Sequence, residues 1–293
     1  MVNEKKRPDF IGVGVQRSGT SFLQACLDQH PQVGKPRRGL HFFSHDKRYN
    51  PDLSIVKPND LTWYETELGY FSNYKVVGEY SVTYSFPEYL DTVASKINRL
   101  YPEIKIIIAL RNPVDRLVSE YRRLLERSEI NSNIKFNDFI EIYPSIVRRG
   151  FYSLILETYY SLFPKERIHV KIFEDLTNKG IDHYLSTTFD FLDVDPFFRP
   201  IITKNPNPSM PIKNSLLGSF FLLARHTGVK MCHTKYGYFV SWIKKTDTWQ
   251  KIKEINSVKT KIDTTTIRKL LNIYESDIKK VEMILSRDLS IWR

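Results

Sequence analysis

Residues 10–15 (FIGVGV) form an uninterrupted apolar run, β-branched at Ile11, Val13 and Val15, that gives way to the polar stretch QRSGTS. Beyond it Phe22, Leu23, Ala25, Cys26 and Leu27 recur at helical spacing until His30 and Pro31 stop them. The pattern predicts strand, loop, helix. Residues 75–79 (KVVGE) and 105–110 (KIIIAL) have the continuous apolar character of strands covered on both faces. Asn112 and Pro113 follow the second run as a cap and first-turn pair, and Leu117, Val118, Tyr121, Leu124 and Leu125 then fall on one helical stripe.

A further helix is predicted over residues 152–163, closed by Pro164, and residues 167–173 (RIHVKIF) alternate as another strand. From Asp263 onward Ile267, Leu270, Leu271, Tyr274, Ile278, Val281 and Ile284 keep helical spacing. Between these regions the prolines of residues 204–213 (KNPNPSMPIK) exclude regular structure, and the segment reads as a functional loop. Strands alternating with helices predict an α/β fold: a central, P-loop-like parallel sheet flanked by helices, with a helical C-terminal third and ligands at the carboxyl ends of the strands.

The 293 residues, 41% hydrophobic and 26% charged, have an ordinary globular composition and enough length for a large core. The net charge of +11 favours anionic partners without choosing among them. Its cations are dispersed and its aromatics fall at core spacings, which argues against a nucleic-acid platform. Cys26 and Cys232 make no disulfide scaffold and have no metal-ligand spacing, which suits a reducing compartment. The polar N-terminus carries no signal-like apolar region, and no apolar run approaches the roughly 20 residues of a membrane span. The expectation is a soluble, cytoplasmic protein with no membrane or nucleic-acid partner; oligomeric state is not legible.

Gly14 and Gly19 have the spacing of a phosphate loop, but Thr20 stands where nucleotide-hydrolysing proteins carry lysine. Glycines allow a tight turn, free N–H groups and a helix dipole can face an anion, and Ser18, Thr20 and Ser21 add hydroxyls. The resident cation becomes Arg17. A plain glycine turn between strand and helix is the alternative. The missing lysine, and the lack of a clear strand-end aspartate for magnesium, stand against a kinase or NTPase. Arg111 at a strand end and Ser119 in the following helix suit a phosphate monoester. Taken singly, they are also an ordinary surface cation and an ordinary helix hydroxyl.

Together these two motifs resemble those of sulfotransferases that use 3′-phosphoadenosine-5′-phosphosulfate (PAPS). In that family a Lys/Arg-x-Gly-Thr-Thr/Ser loop grips the 5′-phosphosulfate, matched here by residues 17–21, and a strand-end arginine with a serine eight residues on holds the 3′-phosphate, matched by Arg111 and Ser119. Leu40-His41-Phe42-Phe43, Trp63-Tyr64, residues 78–84 and Gly150-Phe151-Tyr152 look similar to the branch that includes the heparan sulfate sulfotransferases. Tyr274, Asp277-Ile278, Arg287-Asp288 and Trp292 look similar to related bacterial members.

The resemblance implies one sulfotransferase domain over residues 1–293, with a cofactor-binding core in 1–200 and a loop and helical part in 201–293. It implies PAPS as co-substrate, adenosine 3′,5′-bisphosphate as product and no metal. Cofactor contacts would come from Arg17, Ser18, Gly19, Thr20, Ser21, Arg111, Ser119 and Tyr152. Arg17, His41 and Glu79 are the catalytic candidates. His41 is the candidate base or else a core histidine, and Glu79 is a second base or else a carboxylate orienting loops. The acceptor is expected to be a hydroxyl of a small molecule or natural product, with a glycan as the alternative. Arg37, Arg38 and His45 flank the His41 motif as possible contacts to an anionic acceptor. Three departures weaken a glycan-type acceptor site: Gly39 where that branch has a catalytic glutamate, Ser44 for an acid, and Tyr80 for a lysine. If His41 is the base, a carboxylate restored by Gly39→Glu is expected to recover part of the rate.

Overall fold

The structure is a computed structural model that describes residues 5–36, 39–201 and 262–293. Residues 202–261 hold Cys232 and the proline-rich segment, so those expectations lie outside the described residues. Five strands form one parallel sheet: β1 (Phe10–Gly14), β2 (Val33–Gly34), β3 (Val76–Tyr80), β4 (Lys105–Leu110) and β5 (Ile168–Ile172), in the order β2-β3-β1-β4-β5. The expected sheet is present. β1 lies at its centre, with Phe10 opposite Gly78 on one side and Lys105 on the other. Burial on both faces explains why β1 and β4 read as unbroken apolar runs rather than alternating ones. The edge strand β2 has only two residues, too few to leave a periodic signal.

The chain crosses from the β3 side of β1 to the β4 side, and this crossing places the loops after β1, β3 and β4 side by side at the carboxyl edge, where open α/β sheets bind ligands. Helix α1 (Thr20–Leu27) and the helix Ile181–Phe191 bury Leu23, Cys26, Leu27, Tyr184, Leu185 and Phe189 in a common cluster with Phe10 and Ile107. Gly12 has no room for a side chain: a Cβ there would stand 2.1 Å from the Tyr80 ring. Tyr80 thus turns inward, and its hydroxyl donates to the Gly14 carbonyl at 2.8 Å.

Of the helices between strands, α2 (Leu61–Gly69), α3 (Leu90–Leu100), α4 (Pro113–Glu126) and α5 (Phe136–Ile142) precede α6 (Pro144–Arg148) and α7 (Tyr152–Leu162). After β5 come α8 (Asp175–Asn178), α9 (Ile181–Phe191) and the long α10 (Thr264–Leu285). Only α1, α4, α7 and α10 were legible as patterns; α2, α3, α5, α6, α8 and α9 are additions. The described residues fall into two compact units. One holds the sheet, residues 145–201 and the later part of α10. The other holds residues 117–144 and 262–269, where Tyr121 packs on Phe136 and Phe139 and its hydroxyl donates to the Ile134 carbonyl at 2.6 Å.

The N-cap of α7 is Phe151, which has no side chain able to cap the unpaired N–H groups of a helix start. Asp277 of α10 supplies the cap from 125 residues away, accepting from Tyr152 N–H at 2.7 Å and from the Ser153 hydroxyl at 2.5 Å. Its burial raises its pKa, against the pull of these donors. Asp277→Ala should cost about 3 kcal/mol of unfolding free energy in a denaturant titration, since it strands buried donors.

Candidate active site

From β1 the chain enters the loop 14–19 and leaves it as α1. Gly14 (φ 144°), Arg17 (φ 71°) and Gly19 (φ 80°) all have positive φ. For the glycines this carries no steric penalty, whereas Arg17 holds a conformation that costs a side-chain-bearing residue about 1 kcal/mol or more. Gly19 is the N-cap of α1, offers no side-chain cap, and the first turn has no acidic residue, so the positive helix end is not neutralised from within. Ser18 is buried and its Oγ has no hydrogen-bond partner. Thr20 is buried beside it, and Ser21 is exposed.

Arg111 leaves β4 next to this loop. Its guanidinium carbon lies 4.8 Å from the centroid of the Phe173 ring, and a Cβ on Gly19 would stand 2.4 Å from Cδ2 of the same ring. One aromatic side chain therefore separates Arg111 from the loop, and it requires glycine at position 19. Asp115 approaches Arg111 at 3.5 Å from an exposed position, while Nε of Arg111 is buried without a partner. Tyr152 is fully buried, and its hydroxyl donates to the Arg111 carbonyl at 2.8 Å. Ser119 lies in the second turn of α4, in the second compact unit.

His41 is buried with positive φ (51°), its N–H donating to Ser81 Oγ at 2.8 Å and its Nδ1 lying 2.7 Å from Thr83 Oγ1. Burial lowers its pKa to about 4 against a smaller upward pull from Asp46, so the ring is neutral at pH 7. Gly39 abuts this ring. A Cβ at Gly39 would lie 2.4 Å from the Tyr80 carbonyl oxygen and 3.0 Å from His41 Nε2, so the expected gain from Gly39→Glu is overturned by lack of space. Glu79 is fully buried and accepts from Leu40 N–H (2.8 Å), Ser81 Oγ (2.5 Å) and Tyr84 Oη (2.6 Å). Burial raises its pKa while these donors lower it.

A link between loop and His41 had no local signal in the sequence. Gln16 donates through Nε2 to Tyr49 Oη at 2.7 Å and accepts from Arg149 Nη1 at 3.1 Å. The Tyr49 ring lies 5.2 Å from that of His41, and the Arg149 guanidinium sits 3.6 Å over Phe86. Ser44, one of the departures, turns inward to the His41 carbonyl and Thr83. Arg37 and Arg38 lie outside the described residues, and His45 has positive φ. Among the described residues no group of His, Cys, Asp or Glu has the arrangement of a metal site.

A family model described as "Sulfotransferase domain" matches residues 7–197 of the 293. The chain belongs to the sulfotransferase family. Heparan sulfate glucosamine 3-O-sulfotransferase 5 of Homo sapiens is 28% identical over 173 residues, covering 56% of this chain and 47% of that protein. The membrane-associated sulfotransferase kil1 of Dictyostelium discoideum is 29% identical over 119 residues, covering 39% of this chain and 22% of that protein. This chain thus spans about half or less of these relatives' lengths. A solved sulfotransferase from Alicyclobacillus acidocaldarius superposes with a TM-score of 0.67 at 24% identity, over 98% of this chain and 99% of that one, and shares the fold. The family resemblance read from the two motifs holds. Among the described residues no helix is long and apolar enough to cross a membrane.

The depressed His41 pKa makes stability depend on pH. The unfolded chain binds the proton near pH 6.5 and the folded chain only near pH 4, so the contribution is fully present above pH 6.5 and is lost as pH falls toward 4. The full window is worth about 3 kcal/mol. His169, lowered to about 3 by burial, acts in the same direction. His41→Gln should therefore flatten the fall in unfolding free energy between pH 7 and pH 5 without abolishing it, as measured by urea titration.

Proposed function

We propose that this protein transfers the sulfuryl group of PAPS to a hydroxyl of a small-molecule or natural-product acceptor. The observation that carries the reading is a pair of buried polar atoms with no full hydrogen bond, Ser18 Oγ in the loop after β1, beside the Tyr152 hydroxyl, and Arg111 Nε just past the end of β4. Two buried donor groups awaiting acceptors suit an anion with phosphate at both ends. When bound, PAPS supplies an activated sulfuryl group for in-line transfer and leaves as adenosine 3′,5′-bisphosphate.

The chain's own residues divide the work as follows. The N–H groups at the start of α1, with Ser18, Thr20 and Ser21, hold the 5′ end, and Arg17 stabilises the charge that grows on the leaving oxygen. Arg111 and Ser119 hold the 3′-phosphate, and Tyr152 fixes the Arg111 backbone from beneath. His41 takes the acceptor's proton. Ser44 Oγ gives its proton to the His41 carbonyl, so Thr83 donates to Ser44 and accepts from His41 Nδ1–H; that assigns the lone pair to Nε2, which burial keeps unprotonated at pH 7 while Asp46 favours the proton once it arrives. Glu79, engaged by three donors, holds the Leu40–His41 backbone rather than accepting the proton itself.

A glycan acceptor is the second reading, favoured by a relative named for heparan sulfate glucosamine. It ranks lower because Ser44 and Tyr80, two of the departures from that branch, spend their side chains on the interior. Two cysteines are too few for a disulfide framework, which fits a cytoplasmic setting. We treat residues 1–293 as one functional sulfotransferase domain.

Adenosine 3′,5′-bisphosphate should bind at least about tenfold tighter than AMP by calorimetry, and Arg111→Ala should erase most of that preference, because a charge-assisted hydrogen bond contributes about 1.5–3 kcal/mol. Equal affinities in the parent protein would refute the two-ended anion site. His41→Ala should lower kcat by roughly 10²–10⁴ while nucleotide affinity holds. A folded His41→Ala protein that turns over at the parent rate would remove His41 from the mechanism.

A further inference from the structure

Asn112, the residue after Arg111, has every side-chain polar group engaged. Its backbone N–H donates to Glu174 Oε1 at 2.9 Å, its side-chain Nδ2 donates to the Trp292 carbonyl at 2.9 Å, and its Oδ1 accepts from the Val114 and Asp115 N–H groups at the start of α4. The second Glu174 oxygen accepts from the Trp292 indole at 3.0 Å. Asn112, Glu174 and Trp292 thus form a closed triangle of hydrogen bonds whose sides span 62, 118 and 180 residues of sequence. Trp292 is fully buried and meets the Tyr152 ring edge-on at 5.8 Å, the same tyrosine that donates to the Arg111 carbonyl. Arg287 grips Asp175 beside Glu174 through two contacts, at 2.9 and 2.5 Å, and anchors this end of the chain.

The side chain of Arg111 has little of its own to orient it: a ring face and an exposed carboxylate, the latter worth little in water. A planar guanidinium recognises phosphate only when its plane is aimed correctly. We propose that Glu174 and Trp292 are positioning residues for Arg111: they fix the backbone from which its guanidinium departs and so govern recognition of the nucleotide's 3′-phosphate without touching it. The proposal rests on the reading of Arg111 as the 3′-phosphate group.

The hydrogen-bond pattern supplies its own test. Trp292→Phe keeps a ring against Tyr152 but leaves Glu174 Oε2 without its donor. Glu174→Gln sets an amide NH₂ against one of two N–H donors. In the double variant the amide oxygen still serves Asn112 N–H, and no donor faces a donor. Calorimetric affinities of the full chain for adenosine 3′,5′-bisphosphate and for AMP should show each single change lowering the preference for the bisphosphate by about fivefold or more, with AMP affinity held within about twofold. The double variant should regain at least half of the lost preference on a logarithmic scale. Melting temperatures recorded alongside identify variants that are folded. If Trp292→Phe does not fold, Glu174→Gln and the double variant decide. An unchanged preference, an equal weakening of both nucleotides, or a double variant no better than the worse single one overturns the proposal. A parent protein with no preference for the bisphosphate instead overturns the reading of Arg111, and the positioning role falls with it.

Discussion

A carboxylate cut off from water must collect donors, and the His41 side of this site is built around one that does. Glu79 stands at the carboxyl end of β3 with no exposure and draws in Leu40 N–H, Ser81 Oγ and Tyr84 Oη. An ionised side chain in that position without them would be strongly unfavourable. Meeting the demand fixes the backbone of residues 40 and 41 against the sheet. Ser81, in donating to Glu79, presents its oxygen to His41 N–H, so the histidine's backbone position follows from the carboxylate. The rings of Phe42, Phe43, Tyr64 and Tyr84 then close over the strap that results.

The same demand operates at the other end of the site. Asp277 gathers the N–H groups that α7 cannot cap for itself, and Glu174 gathers one from Asn112 and one from Trp292. Carboxylates here are fully served. The guanidinium groups are not: buried nitrogens of Arg111, Arg116 and Arg149 have no partner. The buried acids thus act as internal fasteners, while these guanidinium groups keep some donors unused. The net charge of +11 states that cations are in excess; only the structure states which of them are buried and undersatisfied.

What the sequence disclosed follows from the range of the interactions involved. β1, β4 and the loop between β1 and α1 are set by local periodicity and by glycines that nothing else can replace, so FIGVG and the turn after it were legible, as was the stripe of α4. β2 was not, because two residues carry no period. The family's two motifs were legible because each is contiguous. The supports of those motifs were hidden: Gln16 meets Arg149 across 133 residues, and Asn112 meets Trp292 across 180. The glycine at position 39 looked like a lost carboxylate. In the fold it is a place where the chain passes the Tyr80 carbonyl too closely for any side chain.

Local rules are obeyed through most of this fold and broken at scattered positions, a few of which lie at the carboxyl ends of β1 and β4. Arg17 carries a positive φ, and Ser18 Oγ and Arg111 Nε are buried without a full hydrogen bond. Each unmet polar group costs about 1–3 kcal/mol, a sizeable share of a typical domain's net stability. A sequence shaped by stability alone would remove them with an alanine or a leucine. At the carboxyl ends of β1 and β4 these breaches stand next to the fully satisfied Asn112–Glu174–Trp292 triangle, an arrangement that suits recognition of an anion better than it suits stability.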